Sequence, residues 1–486
     1  YFWITFITLL IAGTSFLVFK TILPKRIFPE TQVAAKNVVI DSLLLEAIAE
    51  EGQPESKDST KKTVDPMAKK EIRFVPIEGV SFPTEKYESF KGNQYLIPFY
   101  EKLYQLQTQQ TGNVRIAYFG DSMTDGDMIV QDLRVLLQAK FGGEGVGFVN
   151  ITSESAGSRG SVQHQFSSNW KTQSYLKAKN PVFPFGVNGH VFFIPDSVNN
   201  VWVKYKAGRN RFSTTLNKPT LFFGKSNNGK GEISIIINDE DTLIKKLRPN
   251  RLVNELQLTA SDIKSLKINF KSADSIPVYG LNFDNGKGIH VDNFSSRGNS
   301  GLPLSMFSPA VMQQFQEKLG YDLIVLHYGT NVLNYGSYNY SWYEKRMINV
   351  VEHLRQCFPG VAILVISTAD KATKYDLEMK TDSAVVPLVT AQKKYAIKAQ
   401  TGFANLYELM GGEGSMVKWT DEEPIRANKD YTHFNFRGAK EVANLLYNQL
   451  NQGYETYLKM RAKRKTKPVI RRKDSVTSQN DTIHED

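Results

Sequence analysis

The sequence predicts an α/β layered domain interrupted by an all-β stretch, and three observations carry that expectation. Short apolar runs end abruptly in small or polar residues: "VRIAYFG" (114–120), "DLIVLHYG" (322–329) and "VAILVIS" (361–367). Helical spacing lies between such runs, in "MIVQDLRVLLQAKF", "SPAVMQQFQEKLG" and "SWYEKRMINVVEHLRQC". From 181 to 292 the period falls to two, in "VWVKYKA", "EISIIIND" and "SLKINFKS", with "NNGKG", "RPN" and "DNGKG" as turns. Strands that read as continuous apolar runs are covered on both faces, as in a parallel sheet between helices. Period two instead places alternate residues inside, as in a sandwich of about 110 residues.

The elements follow in order. Residues 1–19, "YFWITFITLLIAGTSFLVF", carry no charge. A helix of that length just reaches across a bilayer core of ~30 Å, so they are expected to form a membrane anchor or uncleaved signal. Lys20, Lys25 and Arg26 follow it; alone they would favour a cytoplasmic side for the rest, whereas the expectation is that the bulk lies outside the cytoplasm. Residues 20–84 read as a juxtamembrane segment and linker, with a short amphipathic helix in "NVVIDSLLLEAIAEE" and a polar run, "GQPESKDSTKKTVDPMAKKE". The α/β domain is expected over 85–180 and 293–456, with the β-sandwich of 181–292 inserted between its parts.

The chain has 486 residues, a formal charge of +11 and a single cysteine, Cys357, which excludes an internal disulfide. The basic excess is partly local: nine Lys and Arg residues fall between Leu458 and Lys473. Residues 457–486 therefore read as a solvated, disordered tail. No recognisable nucleic-acid module accompanies it, so no nucleic-acid partner is expected.

In an α/β sheet, functional groups gather where loops leave the carboxyl ends of strands. Ser122 follows "RIAYFG", Asn331 follows "LIVLHYGT", and Asp430 and His433 lie in "NKDYTHFNFRG". A serine hydroxyl needs a base to take its proton. His433 can serve, with Asp430 fixing its tautomer from three residues away. An oxyanion would need donors, and the candidates are the Ser122 N–H, the Asn331 amide and a glycine N–H in "NFSSRGNSG". Each piece has a plainer reading: Ser122 as a helix cap, D-x-x-H as a surface turn, Asn331 as a loop-holding residue. Their joint presence at strand-to-loop junctions favours the catalytic reading.

Those motifs resemble the SGNH (GDSL-type) hydrolase superfamily, named for Ser, Gly, Asn and His in four blocks. "FGDSMTDGD", "YGTN" and "DYTH" match three of them. The resemblance implies a flavodoxin-like three-layer α/β/α fold, Ser122 as nucleophile, Asp430 and His433 as its partners, and an oxyanion hole from Ser122, Gly298 and Asn331. Gly298 is the block-two glycine in "VDNFSSRGNSG", with Gly301 as fallback. Where the third block often continues with Asp, Val332 stands here. The stretch "RIAYFGDSMTDGDMIVQDLRVLLQAKFGGEGVGFVNI" is further similar to bacterial SGNH enzymes that remove O-acetyl groups from peptidoglycan. That subgroup carries a carbohydrate-binding-module-like β-domain between the first and second blocks, where the period-two stretch falls here.

The function expected is thus a serine acetylesterase of the bacterial cell envelope, anchored to the inner membrane and facing the periplasm or outer surface. Acetylated envelope polysaccharide, peptidoglycan first, is the expected partner. The rivals are an O-acetyltransferase working beside a membrane acyltransferase partner, and a non-catalytic envelope binder. No cofactor is called for and no metal site is expected. Asp121, Asp125 and Asp127 lack EF-hand spacing; Asp121 is expected to hold its loop and the other two to cap the next helix. His164, His190, His290, His327, His353 and His484 lack metal-ligand spacing. Trp202 and Tyr205 are expected in the β core, with a sugar-lining face the alternative.

Overall fold

The computed structural model describes residues 2–19, 41–51, 80–196, 200–333, 335 and 339–463. The apolar N-terminus folds as α1 (Phe2–Phe19), a helix of 18 residues. Among the described residues no helix is long and apolar enough to cross a membrane. The described residues from Asp41 onward belong to one compact unit, which begins with α2 (Ser42–Glu51).

Further along lie α3 (Ile97–Gln109), β1 (Asn113–Gly120) and α4 (Val130–Phe141). After a β-rich stretch come β2 (Gly288–Asn293), α5 (Pro309–Leu319), β3 (Tyr321–His327) and the short α6 (Thr330–Leu333). The chain continues through α7 (Ser341–Cys357), β4 (Ala362–Ile366), α8 (Val385–Lys398), β5 (Gly402–Ala404) and α9 (Phe436–Ala462). The five strands form one parallel sheet in the order β2-β1-β3-β4-β5. This is the flavodoxin-like order, which reverses direction between β1 and β3 and opens a crevice at their carboxyl ends.

Alternation along each strand splits the core into two layers. Phe119, Leu326 and Val365 pack with Leu44 of α2, Phe315 of α5, Met347 of α7 and Leu388 of α8. Ile116, Val325 and Leu364 face the other way, onto Leu103 of α3, Leu133 of α4 and Val442 of α9. Helices therefore cover both faces, and the strands read as unbroken apolar runs for that reason.

Between β1 and β2 the chain builds two antiparallel sheets, of six and five strands. Both contribute to one apolar cluster, through Phe192 and Leu281 from one and Val203 and Ile235 from the other. Two boundaries differ from expectation. Gly147–Val149, Val162–Phe166 and Lys171–Ser174 join these sheets, although polar residues such as those in "VQHQF" and "KTQS" hide their strand character. Residues 288–292 were expected in the β stretch but belong to β2, paired in parallel with β1. Tyr205 is fully buried, whereas Trp202 is only partly buried with Lys267 Nζ over its ring at 5.1 Å. Period two explains the split, since Val201, Val203 and Tyr205 take the inner face. At the far end, α9 continues through Ala462, and Tyr457 is buried beside Tyr100 and Tyr454. The expected tail thus starts later than 457; residues 464–486, His484 included, lie outside the described residues, as do 20–40 and 52–79.

One buried charge ties the parallel sheet to the β-rich part. Arg115 lies inside β1 yet is 2% exposed. Its Nη1 donates to Asp292 of β2 at 3.0 and 2.9 Å, its Nε donates to the Leu319 carbonyl at 3.0 Å, and its Nη2 pairs with Asp284. Asp292 also accepts from Phe148 N at 2.9 Å and Tyr321 Oη at 2.8 Å. Burial opposes ionisation of Asp284, but Arg115 and His290 outweigh it and hold its carboxyl below the ordinary range. Removing one partner from such a set strands the other charges away from water. Arg115→Met is expected to lose about 3–5 kcal/mol of stability in urea unfolding; a loss under about 1 kcal/mol would refute the linkage.

Candidate active site

Gly120 closes β1 against β3, in register with His327. A Cβ there would meet Thr124 Oγ1 at 2.2 Å and Ser295 Oγ at 2.9 Å, so only glycine fits. Asp121 then turns the chain: its Oδ1 accepts Met123 N–H at 2.9 Å, and its carbonyl accepts from Thr124 N at 3.3 Å and Asp125 N at 3.1 Å. Asp121 thereby does the loop-holding expected of it, and Ser122 is presented on a tight turn. The cap reading of Ser122 fails, because α4 begins only at Val130 and no side chain caps it. Asp125 and Asp127 do not cap it either. Asp127 forms a buried bidentate pair with Arg134 at 2.8 and 3.0 Å, and Asp125 holds Arg297 Nε at 2.7 Å. An arginine in the second turn of the helix is the stronger competitor for a buried carboxylate.

Ser122 Oγ lies 2.9 Å from His433 Nε2, and His433 Nδ1 lies 2.8 Å from Asp430 Oδ2. A carboxylate only accepts, so Nδ1 carries the proton and Nε2 is left to accept from the serine hydroxyl. Asp430 Oδ1 accepts the main-chain N–H groups of His433 at 2.9 Å and Thr432 at 3.0 Å. Partial burial opposes ionisation of Asp430, yet these bonds and the His433 ring lower its pKa. The loop carrying them is clamped at its base by Asn428 N–H donating to the His433 carbonyl at 2.8 Å. Asn435 then caps α9 through the N–H groups of Arg437 at 2.9 Å and Gly438 at 3.0 Å. That cap, invisible as a functional signal, fixes the loop two residues beyond the imidazole.

The loop after β2 runs alongside. Ser296 N–H donates to the Gly120 carbonyl at 3.1 Å, and Thr124 Oγ1 to Ser295 Oγ at 2.7 Å. Gly298 is buried with φ of 81°, a conformation that side chains resist. Gly301 N–H is occupied by Asn299 Oδ1 at 2.9 Å, which removes the fallback glycine as a donor. Asn331, at the start of α6, is 9% exposed and donates Nδ2 to the Asn299 carbonyl at 3.1 Å. One amide hydrogen is held there and the second remains for another acceptor. The loops after β1, β2 and β3 thus converge, with Ser122 joined to His433 and Asp430 by direct bonds.

The other described histidines sit elsewhere. His327 is buried against Tyr118 Oη at 2.8 Å, and burial lowers its pKa to about 3. His164 bonds the Ile151 carbonyl and His353 the Phe307 carbonyl, each at 2.9 Å. Cys357 is buried, and burial pushes its thiol up to about 12.

Asp121 is electrostatically costly. Burial pushes its pKa from 3.8 to about 6, against the lowering effects of Met123 N–H, His433 and Thr330. Through that window the folded chain keeps a proton that the unfolded chain has lost. Its contribution to stability therefore falls as pH rises from 3.8 to about 6. Asp121→Asn keeps the acceptor for Met123 N–H and removes the buried charge. In urea unfolding it is expected to match wild type near pH 4 and exceed it near pH 8; a margin that shrinks with pH would contradict the burial argument.

No family model matches the chain, and no curated protein matches its sequence. Among solved structures, a peptidoglycan O-acetylesterase superposes with a TM-score of 0.61 at 20% identity, covering 76% of this chain and 98% of its own. A family two carbohydrate esterase from Cellvibrio japonicus covers 61% of this chain and 99% of its own at 11% identity, with a TM-score of 0.26. A GDSL-like lipase from Parabacteroides merdae covers 34% and 74% at 14% identity, with a TM-score of 0.25. Only the first likeness is strong enough to bear on the fold.

Proposed function

We propose that this chain, which has the fold of the SGNH (GDSL-type) hydrolases, is a serine esterase that removes O-acetyl groups from a cell-envelope polysaccharide. The observation that carries the reading is the relay from Ser122 Oγ through His433 to Asp430, at 2.9 and 2.8 Å. Ser122 Oγ attacks the acetyl carbonyl carbon while His433 Nε2 takes its proton. Asp430 stabilises the imidazolium that forms. The carbonyl oxygen gains charge in the tetrahedral intermediate, where the N–H groups of Ser122 and Gly298 and the amide of Asn331 are the donors assigned to it. Collapse breaks the ester C–O bond, and His433 returns the proton to the departing sugar hydroxyl. Water, deprotonated by the same imidazole, then cleaves the acyl-enzyme to acetate.

Peptidoglycan is the first substrate proposed. Its support is the fold shared with a peptidoglycan O-acetylesterase, together with the β-rich part, read here as an inserted carbohydrate-binding-like sandwich. Such a substrate would place the chain in the envelope. Hydrolysis is preferred to acetyl transfer because the site is open: the His433 side chain is 38% exposed and that of Asp430 50%. A transferase must keep water from its acyl-enzyme, and this relay lies where water reaches it. A purely binding role has no use for a serine, imidazole and carboxylate in bonded sequence.

Acetate released from O-acetylated peptidoglycan provides the test. Ser122→Ala is expected to abolish release, and Asp430→Asn to lower kcat on the order of 10³–10⁴-fold at neutral pH, since an amide can hold the wrong imidazole tautomer. Ser122-independent release would refute the reading. Efficient acetyl transfer to an added glycan with little hydrolysis would move it to the transferase.

A further inference from the structure

We infer that Asp41 is a positioning residue for the oxyanion donors. Its sequence setting, a short amphipathic stretch ahead of a polar linker, gives no sign of it. Asp41 is 0% exposed. Its Oδ1 accepts Leu44 N–H at 2.7 Å, the bond of a helix cap for α2. Its other oxygen does something a cap does not require. Oδ2 accepts Ser300 N–H at 2.7 Å, 259 residues away, and the Asp41 main-chain N–H donates to the Gly298 carbonyl at 3.2 Å.

These two bonds grip the chain on either side of Asn299. The Asn299 carbonyl is the group that holds the Asn331 amide, at 3.1 Å. Gly298 and Asn331, the two oxyanion donors outside the serine turn, are thus set by one loop, and Asp41 pins that loop from the side of α2. The loop has other anchors: Tyr343 Oη donates to the Ser300 carbonyl at 2.7 Å, and Asn299 Nδ2 to Tyr175 Oη at 3.0 Å. Asp41 is the anchor that acts on residues 298 and 300 together. Oxyanion donors contribute only when aimed at the developing charge, so a loosened loop lowers the chemical step more than substrate affinity.

The inference rests on the esterase reading, and the test separates the two. In the full chain, Asp41→Ser retains a hydroxyl able to cap Leu44 N–H but too short to hold Ser300 as well. With O-acetylated peptidoglycan it is expected to lower kcat about tenfold or more, part of the ~10²–10³-fold that loss of a whole donor costs. KM is expected to stay within about twofold, and the melting curve to keep its cooperative transition. If the serine variant folds only in part, its rates are counted per site labelled by a serine-directed phosphonate. Wild-type kcat in the folded variant, or a loss that merely follows the folded fraction, would overturn the positioning role. Acetate release by Ser122→Ala at the wild-type rate would overturn the esterase reading itself, whatever Asp41→Ser does.

Discussion

Three of the four loops at the site depend on the parallel alignment of β2, β1 and β3, whose carboxyl ends leave the sheet along one edge. Gly120 is level with His327 across the β1–β3 pair, and Asn293 is level with Tyr118 across the β1–β2 pair. The three following loops have no course except toward one another. Order reversal between β1 and β3 keeps connecting helices off this edge, because the crossovers pass to opposite faces of the sheet. Ser122, the Gly298 loop and Asn331 are therefore brought together by strand register before any side-chain bond forms. The fourth loop, carrying Asp430 and His433, is aligned separately by the start of α9.

That alignment is held by buried charges of two kinds. Arg115 is paired with both Asp284 and Asp292 where β1 and β2 meet the antiparallel part. Each charge there has a partner, so removing one would leave the others buried and unpaired. Asp121 and Asp41 are buried as well, with pKa values raised chiefly by desolvation. Main-chain N–H groups are their principal partners, and each fixes a loop next to Ser122 or Gly298. Strain of this sort concentrates where loop geometry matters more than stability. Arg115 has carboxylates for partners, whereas Asp121 and Asp41 have main-chain N–H groups.

The legible parts of the sequence were those with local grammar. Parallel strands showed as apolar runs because both of their faces are buried, and Ser122, Asn331, Asp430 and His433 showed because each sits in a short motif at a strand or helix end. What stayed hidden depends on distant partners. Asp41 stands in a stretch that reads only as a short amphipathic helix, since its decisive contact lies 259 positions away. Arg115 stands in the run "VRIAYFG" with no local sign of the partners that bury it. Asp127 was read as a helix cap, when a buried arginine seven residues on claims it. Residues 288–292 changed sheets without changing texture, because a short strand of mixed residues satisfies either pairing.

The acyl-enzyme on Ser122 is the central claim, and direct capture tests it most simply. An activated acetyl ester is mixed with the protein, quenched in acid within the first turnover, and the digest read by mass spectrometry. One acetyl group on the peptide containing Ser122 is the expected result, accumulating further when Asp430 is replaced and deacylation slows. Acetate release with Ser122 unmodified at every quench time, or acetyl carried on another residue, would contradict it.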